Sequence, residues 1–105
     1  MNSVQLVGRL AAEPKTNFTR GKDGELTVTN FTLAVQRRTS KDDADFIRCV
    51  AFGQTADFID RYFSKGLRVG ITGRIQSGSY ENKEGVTVYT TDIICDSVEF
   101  CDGKK

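Results

Sequence analysis

The stretch FIRCVAF at residues 46–52 predicts a β-strand, because its side chains separate into two sets when successive residues point to opposite faces. One face carries small and medium apolar side chains, as a core face does: Ile47, Cys49 and Ala51. The other face has two aromatic rings that flank a cation and a valine: Phe46, Arg48, Val50 and Phe52. Arginine is rarely buried without a partner, so this face is expected to be solvated. On such a surface the aromatic rings can stack nucleobases, and the cation beside them can bind phosphates. The alternative is that both faces are covered and that Arg48 reaches solvent at an edge.

Outward from this strand, further apolar segments alternate with turn residues along the chain. The predicted strands are residues 4–10, 26–36, 44–52, 67–80 and 86–100. Polar and glycine-containing runs predict loops at residues 19–25 and 37–43 and a hairpin tip at residues 81–85. On the fourth strand, the side chains predicted to point inward are Leu67, Val69, Ile71 and Ile75.

A helix is predicted between the third and fourth strands. Thr55 is a candidate N-cap, apolar side chains recur at helical spacing after it, and Gly66 favours the left-handed conformation that ends a helix. Tyr62 and Phe63 are predicted to belong to the core rather than to a binding site. This order is that of the OB-fold, so the sequence predicts an all-β fold, a five-stranded OB-fold barrel with one α-helix between strands 3 and 4.

The composition limits the class of protein. With 105 residues, 38% apolar and 28% charged, the sequence predicts one globular domain over residues 1–105. It contains no apolar run of membrane-spanning length and no recognisable signal peptide, which favours a cytoplasmic protein with no membrane partner. Histidine is absent, and Cys49, Cys95 and Cys101 form no CxxC pair, so no cofactor, metal site or disulfide is expected. Cys49 and Cys95 are predicted to be small buried side chains.

A catalytic function has one candidate cluster, Asp42, Asp43 and Asp45. Such carboxylates bind divalent cations in metal-dependent nucleases. Aspartate is also frequent in turns, where its side chain forms local hydrogen bonds. Without histidine, no nucleophile with a general base is apparent, and an enzyme is not expected.

Basic and aromatic side chains lie on the predicted strands and turns around residues 46–52. They are Arg37 and Arg38 after the second strand, Arg74 and Tyr80 on the fourth, Lys83 in the hairpin tip and Tyr89 on the returning strand. Rings interleaved with cations on adjacent strands form a stacking platform in a positive groove. This pattern favours a surface that binds nucleic acid.

Several segments, in order along nearly the whole chain, resemble the bacterial single-stranded DNA-binding protein family, especially its short Gram-positive and phage members. They include VQLVGRL at residues 4–10, ADFIRCVAFG at 44–53, YFSKG at 62–66 and GRIQSGSYEN at 73–82. The resemblance implies an OB-fold that binds single-stranded DNA without sequence preference, as a homotetramer. It places the stacking rings at Phe46, Phe52 and Tyr80 and basic contacts at Arg48 and Lys65. The family pattern is not kept where Thr39, Gln76 and Gly78 replace an aromatic and two basic residues.

The end of the chain differs from the family pattern as well. Full-length members carry a flexible linker and an acidic tip that recruits repair and replication proteins, whereas this sequence ends in CDGKK. We therefore expect protection of DNA strands in replication, recombination or repair, near the nucleoid, without tail-mediated recruitment. The alternative function is an OB-fold interaction module of a primosome-type replication complex, for which a dimer is the expected assembly.

Overall fold

A computed structural model describes residues 1–21 and 24–101 of the chain. The strands and the helix follow in the order β1 (Val4–Leu10), β2 (Lys15–Gly21), β3 (Gly24–Arg37), β4 (Ser40–Phe52), α1 (Gly53–Tyr62), β5 (Arg68–Glu81) and β6 (Thr87–Phe100).

The strands close into a ring. Neighbours pair in the order β1-β5-β6-β4-β3, and β3 pairs again with β1, which joins the two ends of the sheet. All of these pairings are antiparallel except β4 with β6, which run parallel at Cys49 and Val50. The predicted five-stranded OB-fold barrel with one helix is therefore confirmed, with the helix between the strands now numbered β4 and β5.

Two glycines allow strands to approach closely where the ring closes and where it bends. At Gly8 of β1, an added Cβ would lie 2.6 Å from the carbonyl oxygen of Ala34 on β3. At Gly73 of β5, an added Cβ would overlap the carbonyl oxygen of Ile94, beside the register shift between Thr72 and Gly73. Glycine within a strand is typical of such bends and close contacts.

The core fills the inside of the ring and the contact with α1. Its largest fully buried apolar side chains are Leu10, Leu33, Ile59, Val69 and Cys49. The helix covers the barrel with Ala56 and Ile59, both 0% exposed. The buried Thr29 hydroxyl donates to the carbonyl oxygen of Ala56 at 3.2 Å, so β3 and α1 are also joined by a polar contact.

Strand β2 was not predicted, and the loop predicted at residues 19–25 was wrong in its bounds. β2 pairs with β3 from Lys15 to Gly21 as the outer strand of a hairpin. Its residues, KTNFTRG, include a single large apolar side chain, Phe18, which is exposed. The strand therefore contributes little to the core and has no apolar pattern by which it could be predicted. The charged loop predicted at residues 37–43 is likewise shorter, since β3 ends at Arg37 and β4 begins at Ser40.

The helix begins earlier than predicted. It starts at Gly53, with Phe52 at the N-cap and no side-chain cap, so Thr55 is not the cap. The positive φ of Gly53, 64°, turns the chain from β4 into α1 without a loop. Phe63 is 4% exposed as predicted, but Tyr62 is 54% exposed because it lies on the solvent side of the last turn.

Ile75 was predicted to point inward and is instead 47% exposed. It lies at the rim of the barrel, opposite Ile93, which is still buried in the core. Beyond this pair, β5 and β6 continue as a two-stranded arm from Gln76 to Glu81 and from Thr87 to Asp92. The alternation of β5 persists through Ile75, but the core ends beside it.

The hairpin residue Asp23 and the chain end from Asp102 to Lys105, including Lys104, lie outside the described residues. Among the described residues, no helix has both the length and the apolar character needed to span a bilayer.

Candidate nucleic-acid interface

The outward face of β4 is exposed to solvent. Phe46 is 68% exposed and Phe52 43%, whereas the inward Cys49 and Ala51 are 1% and 0% exposed. The Arg48 side chain is 67% exposed between the two rings. Of the two interpretations of residues 46–52, the structure has the one in which rings and a cation face solvent together.

Neighbouring strands extend this face on both sides, because residues directly opposite each other in a sheet share a face. Towards β3, the opposing side chains are short or of medium size: Val28, Asn30, Thr32 and Ala34. Towards β6, Arg48 reaches Asp92, and the antiparallel register continues this side onto β5 as Arg74, Gln76, Gly78 and Tyr80. We call this surface the open face: the outward side chains of β4 with those that lie beside them on β2, β3, β5 and β6.

The arm formed by β5 and β6 separates the two predicted tyrosines. Tyr80 is 57% exposed and lies opposite Val88, on the side of the open face. Tyr89 is 81% exposed but lies opposite Ser79, so its ring points to the other side of the arm. The structure thus brings Tyr80, but not Tyr89, onto the same face as Phe46 and Phe52.

The tip of the arm carries the exposed Lys83. The Asn82 carboxamide oxygen accepts hydrogen bonds from the backbone N–H groups of Glu84 and Val86, at 2.9 and 3.0 Å. Gly85 completes the turn with a φ of 81°. A fixed turn holds the Lys83 ammonium group at the far end of the arm.

Three of the predicted phosphate-binding arginines have a carboxylate partner. Arg37 donates from Nε and a terminal nitrogen to Asp45 Oδ1 at 3.0 and 2.8 Å. This contact raises the pKa of Arg37 above its ordinary value, first through the hydrogen bond and then through charge. Arg74 donates to Asp96 Oδ1 at 3.0 Å. Arg48 Nε lies 3.5 Å from Asp92 Oδ1.

The Arg48–Asp92 contact is ionic rather than a well-directed hydrogen bond. Asp92 Oδ1 is buried and has no hydrogen-bond partner among the described residues, although the Arg48 guanidinium lies within ion-pair distance. The Asp92 side chain as a whole is 24% exposed. A carboxylate left without a hydrogen bond near the open face is a source of negative potential beside Arg48.

The remaining predicted cations lie at the edges of the barrel. Arg38 occupies the short turn between β3 and β4 and is exposed. Lys65 follows α1, and its backbone N–H donates to Glu13 Oε2 at 3.2 Å. Lys15 of β2 was not predicted. It lies opposite Asn30 on the open face, and only the unrecognised strand β2 could have indicated that position.

The acidic residues of the nuclease alternative do not come together as a cation site. Asp45 is engaged by Arg37. Within residues 1–21 and 24–101, no three histidine, cysteine, aspartate or glutamate side chains are grouped so that they could hold a metal ion.

Cys49 and Cys95 are both buried, as predicted. A side-chain hydrogen bond with Cys95, and then burial, raise the pKa of the Cys49 thiol well above its ordinary value. A protonated thiol is a poor nucleophile, which fits a packing role beneath the open face.

Known proteins resemble the chain over nearly its whole length. The model of the Single-strand binding protein family matches residues 1–101. A Single-stranded DNA-binding protein of Clostridium perfringens is 45% identical over 102 residues, which cover 97% of this chain and 67% of that protein. One from Clostridium tetani is 48% identical, covering 95% of this chain and 70% of its own length. Single-stranded DNA-binding protein 1 of Staphylococcus aureus strain COL is 44% identical, covering 100% and 64%.

The chain thus spans about two thirds of the length of these relatives. The family resemblance noted in the sequence is confirmed by the match over residues 1–101 and by these relatives, and the chain belongs to the single-strand binding protein family.

Proposed function

We propose that this protein binds single-stranded DNA without sequence preference and protects it during replication, recombination or repair. The observation that carries the proposal is the pair of exposed rings, Phe46 and Phe52, on either side of Arg48 on one face of a barrel. Every base has a π-face, so stacking on such rings tolerates any sequence. The family match and the names of the relatives support the same ligand.

Bases stack on Phe46, Phe52 and Tyr80, and each stack contributes ~1–3 kcal/mol. A duplex keeps its bases paired and stacked on one another, so it cannot offer them to these rings. The rings therefore select single strands by the accessibility of the bases rather than by their identity.

Phosphates are contacted by the cations around the rings, which are Arg37, Arg38, Arg48, Lys65, Arg74 and Lys83. Three of these arginines already have carboxylate partners, so a phosphate must share or replace the carboxylate. Electrostatic affinity for a single strand falls with salt, with a log–log slope of about −0.7 per phosphate neutralised.

The proposal is tested by titrating fluorescently labelled oligo-dT and a duplex of the same length with the wild-type protein and with Phe46→Ala and Phe52→Ala. Phe18→Ala is the matched control. Phe18 is 65% exposed and lies opposite Thr27, on the side of the sheet away from the open face. We expect tight binding of oligo-dT over the duplex, and roughly 5- to 150-fold weaker binding by each open-face variant, which corresponds to the stacking energy.

Equal affinity of all four proteins for oligo-dT would overturn the proposed surface, and no binding by the wild type would overturn the proposed function. Thermal unfolding of each variant shows whether the folded state is kept.

We also infer that the protein assembles with itself, as a homotetramer. The support lies in β1, which pairs with β5 from Val4 to Arg9 but with β3 only at Arg9 and Leu10. Its outer side exposes Val7 to 48%, and a strand edge with an exposed apolar side chain favours pairing with a second copy. Multi-angle light scattering at micromolar concentration tests this. A monomer or a dimer would contradict the tetramer, and a dimer would favour the primosome-type interaction module.

A further inference from the structure

A cleft adjoins the open face on the side of β2, next to Arg48. It has a volume of about 200 Å³, and its polar lining residues are Glu13, Lys15, Asn30, Thr32 and Arg48, with Ala12, Phe31 and Cys49 completing the wall. Lys15 is part of neither the predicted site nor the set of cations assigned to phosphates above.

The sheet register places this cleft on the route of a strand that crosses β4. Asn30 of β3 lies opposite both Val50 of β4 and Lys15 of β2, so the three residues are on one face. Adjacent strands are about 4.8 Å apart, which puts the backbone of Lys15 roughly 10 Å from β4. A lysine side chain at this position continues the cationic surface from Arg48 onto the hairpin outside the ring.

The charge of Lys15 is available in a way that the charges of the central arginines are not. Within the described residues, Lys15 has no carboxylate at ion-pair distance, whereas Arg37, Arg48 and Arg74 each have one. The acidic residue of the cleft is Glu13, and its Oε2 already accepts a hydrogen bond from the backbone N–H of Lys65.

We propose that this cleft binds a phosphate of the single strand, with Lys15 as the ligand that faces it. The path of the DNA then leaves the barrel and crosses the β2–β3 hairpin. Arg48 contributes from the other wall, and the Asn30 and Thr32 side chains offer hydrogen bonds to the sugar or the phosphate. This inference rests on the proposed function and adds to it a second end of the binding path, opposite to the arm that carries Tyr80.

The test compares Lys15→Gln with Arg20→Gln. Both variants remove a positive charge from β2, but Arg20 lies opposite Glu25 on the other side of the strand. Binding of labelled oligo-dT is measured from 50 to 200 mM salt. Lys15→Gln should make the slope of log affinity against log salt concentration shallower by about 0.7. The ratio of wild-type to variant affinity should therefore be roughly 2.5-fold smaller at 200 mM than at 50 mM salt. Arg20→Gln should leave the slope at its wild-type value.

A second measurement does not depend on any variant. Surface lysines of the wild-type protein are acetylated with and without oligo-dT and mapped by mass spectrometry, and DNA should protect Lys15.

An unchanged slope in Lys15→Gln, or acetylation of Lys15 that DNA does not slow, would overturn this inference while wild-type binding leaves the proposed function intact. If the wild type fails to bind oligo-dT, the proposed function itself falls. Equal effects of Lys15→Gln and Arg20→Gln would show that net charge, and not the cleft, is responsible, and would also overturn it.

Discussion

Asp92 of β6 lies beside Arg48 of β4, with 3.5 Å between its buried Oδ1 and the guanidinium Nε. The two residues are brought together by the parallel pairing of β4 with β6, in which Cys49 lies opposite Ile93. The central cation of the open face therefore has a carboxylate neighbour before any phosphate arrives. A phosphate that binds Arg48 must also approach Asp92, so the affinity reflects a competition between two anions for one guanidinium.

Removal of the Asp92 charge should strengthen binding of single-stranded DNA. An ion pair with one exposed partner stabilises by only ~0.2–1 kcal/mol, so Asp92→Asn should tighten binding by up to roughly fivefold at low salt. Anisotropy titration with oligo-dT measures the effect. Asp60→Asn is the matched control, because it removes one negative charge from the exposed side of α1, outside the open face.

An Asp92→Asn protein that bound no more tightly than Asp60→Asn would contradict this competition. Thermal unfolding separates the two possible origins of a loss, since a less stable protein would point to a structural role of Asp92.

The two tyrosines of the arm should differ in their effect. Tyr80 lies on the side of Phe46 and Phe52, and Tyr89 on the opposite side. We expect Tyr80→Ala to weaken oligo-dT binding by ~1–3 kcal/mol, the contribution of one base stack, and Tyr89→Ala to weaken it less. Quenching of tyrosine fluorescence on DNA addition, measured in each variant, identifies the ring that stacks. A larger loss in Tyr89→Ala would place the strand on the other face of the arm.

The positions of the barrel strands along the chain, and the inward side of most of them, were predictable because each strand carries its own alternation of apolar and polar residues. Strand β2 has no such alternation. It lies outside the ring and contributes little to the core, so its sequence has no pattern of apolar residues from which a strand could be predicted. Ile75 shows the converse error, because alternation predicts which side a residue takes but not where the core ends.

The sequence indicated which residues could form the candidate site, but it did not indicate which carboxylates pair with the arginines. The rings and the cation lie within seven consecutive residues, FIRCVAF, so they can be recognised from the sequence. The carboxylate partners of Arg48 and Arg74 lie on other strands, so they depend on how strands distant in sequence pair. Arg48 and Asp92 meet through the β4–β6 contact, and Arg74 meets Asp96 across the β5–β6 pair. Tyr89 was grouped with Tyr80 because both flank one hairpin, and only the register separates them.

Gly73→Ala should destabilise the barrel. The added Cβ would overlap the carbonyl oxygen of Ile94, a backbone atom that cannot rotate away. Overpacking of this kind costs about 1–3 kcal/mol or more. Gly78→Ala on the same strand is the control, because its nearest neighbour is the Thr90 hydroxyl at 3.2 Å, which can turn aside. Guanidinium unfolding compares the two, and equal midpoints would contradict the close approach at Gly73.

The three cysteines should differ in reactivity. Cys101 is exposed, whereas Cys49 and Cys95 are buried and the pKa of Cys49 is raised by its hydrogen bond with Cys95 and by burial. Since the thiolate is the reactive form, the buried Cys49 should react much more slowly than the exposed Cys101 at the same pH. Iodoacetamide labelling followed by mass spectrometry should therefore modify Cys101 alone in the native protein and all three cysteines in guanidinium. A native Cys101→Ser variant should remain unlabelled, and labelling of its Cys49 on the same timescale would show that the sheet beneath the open face opens to solvent.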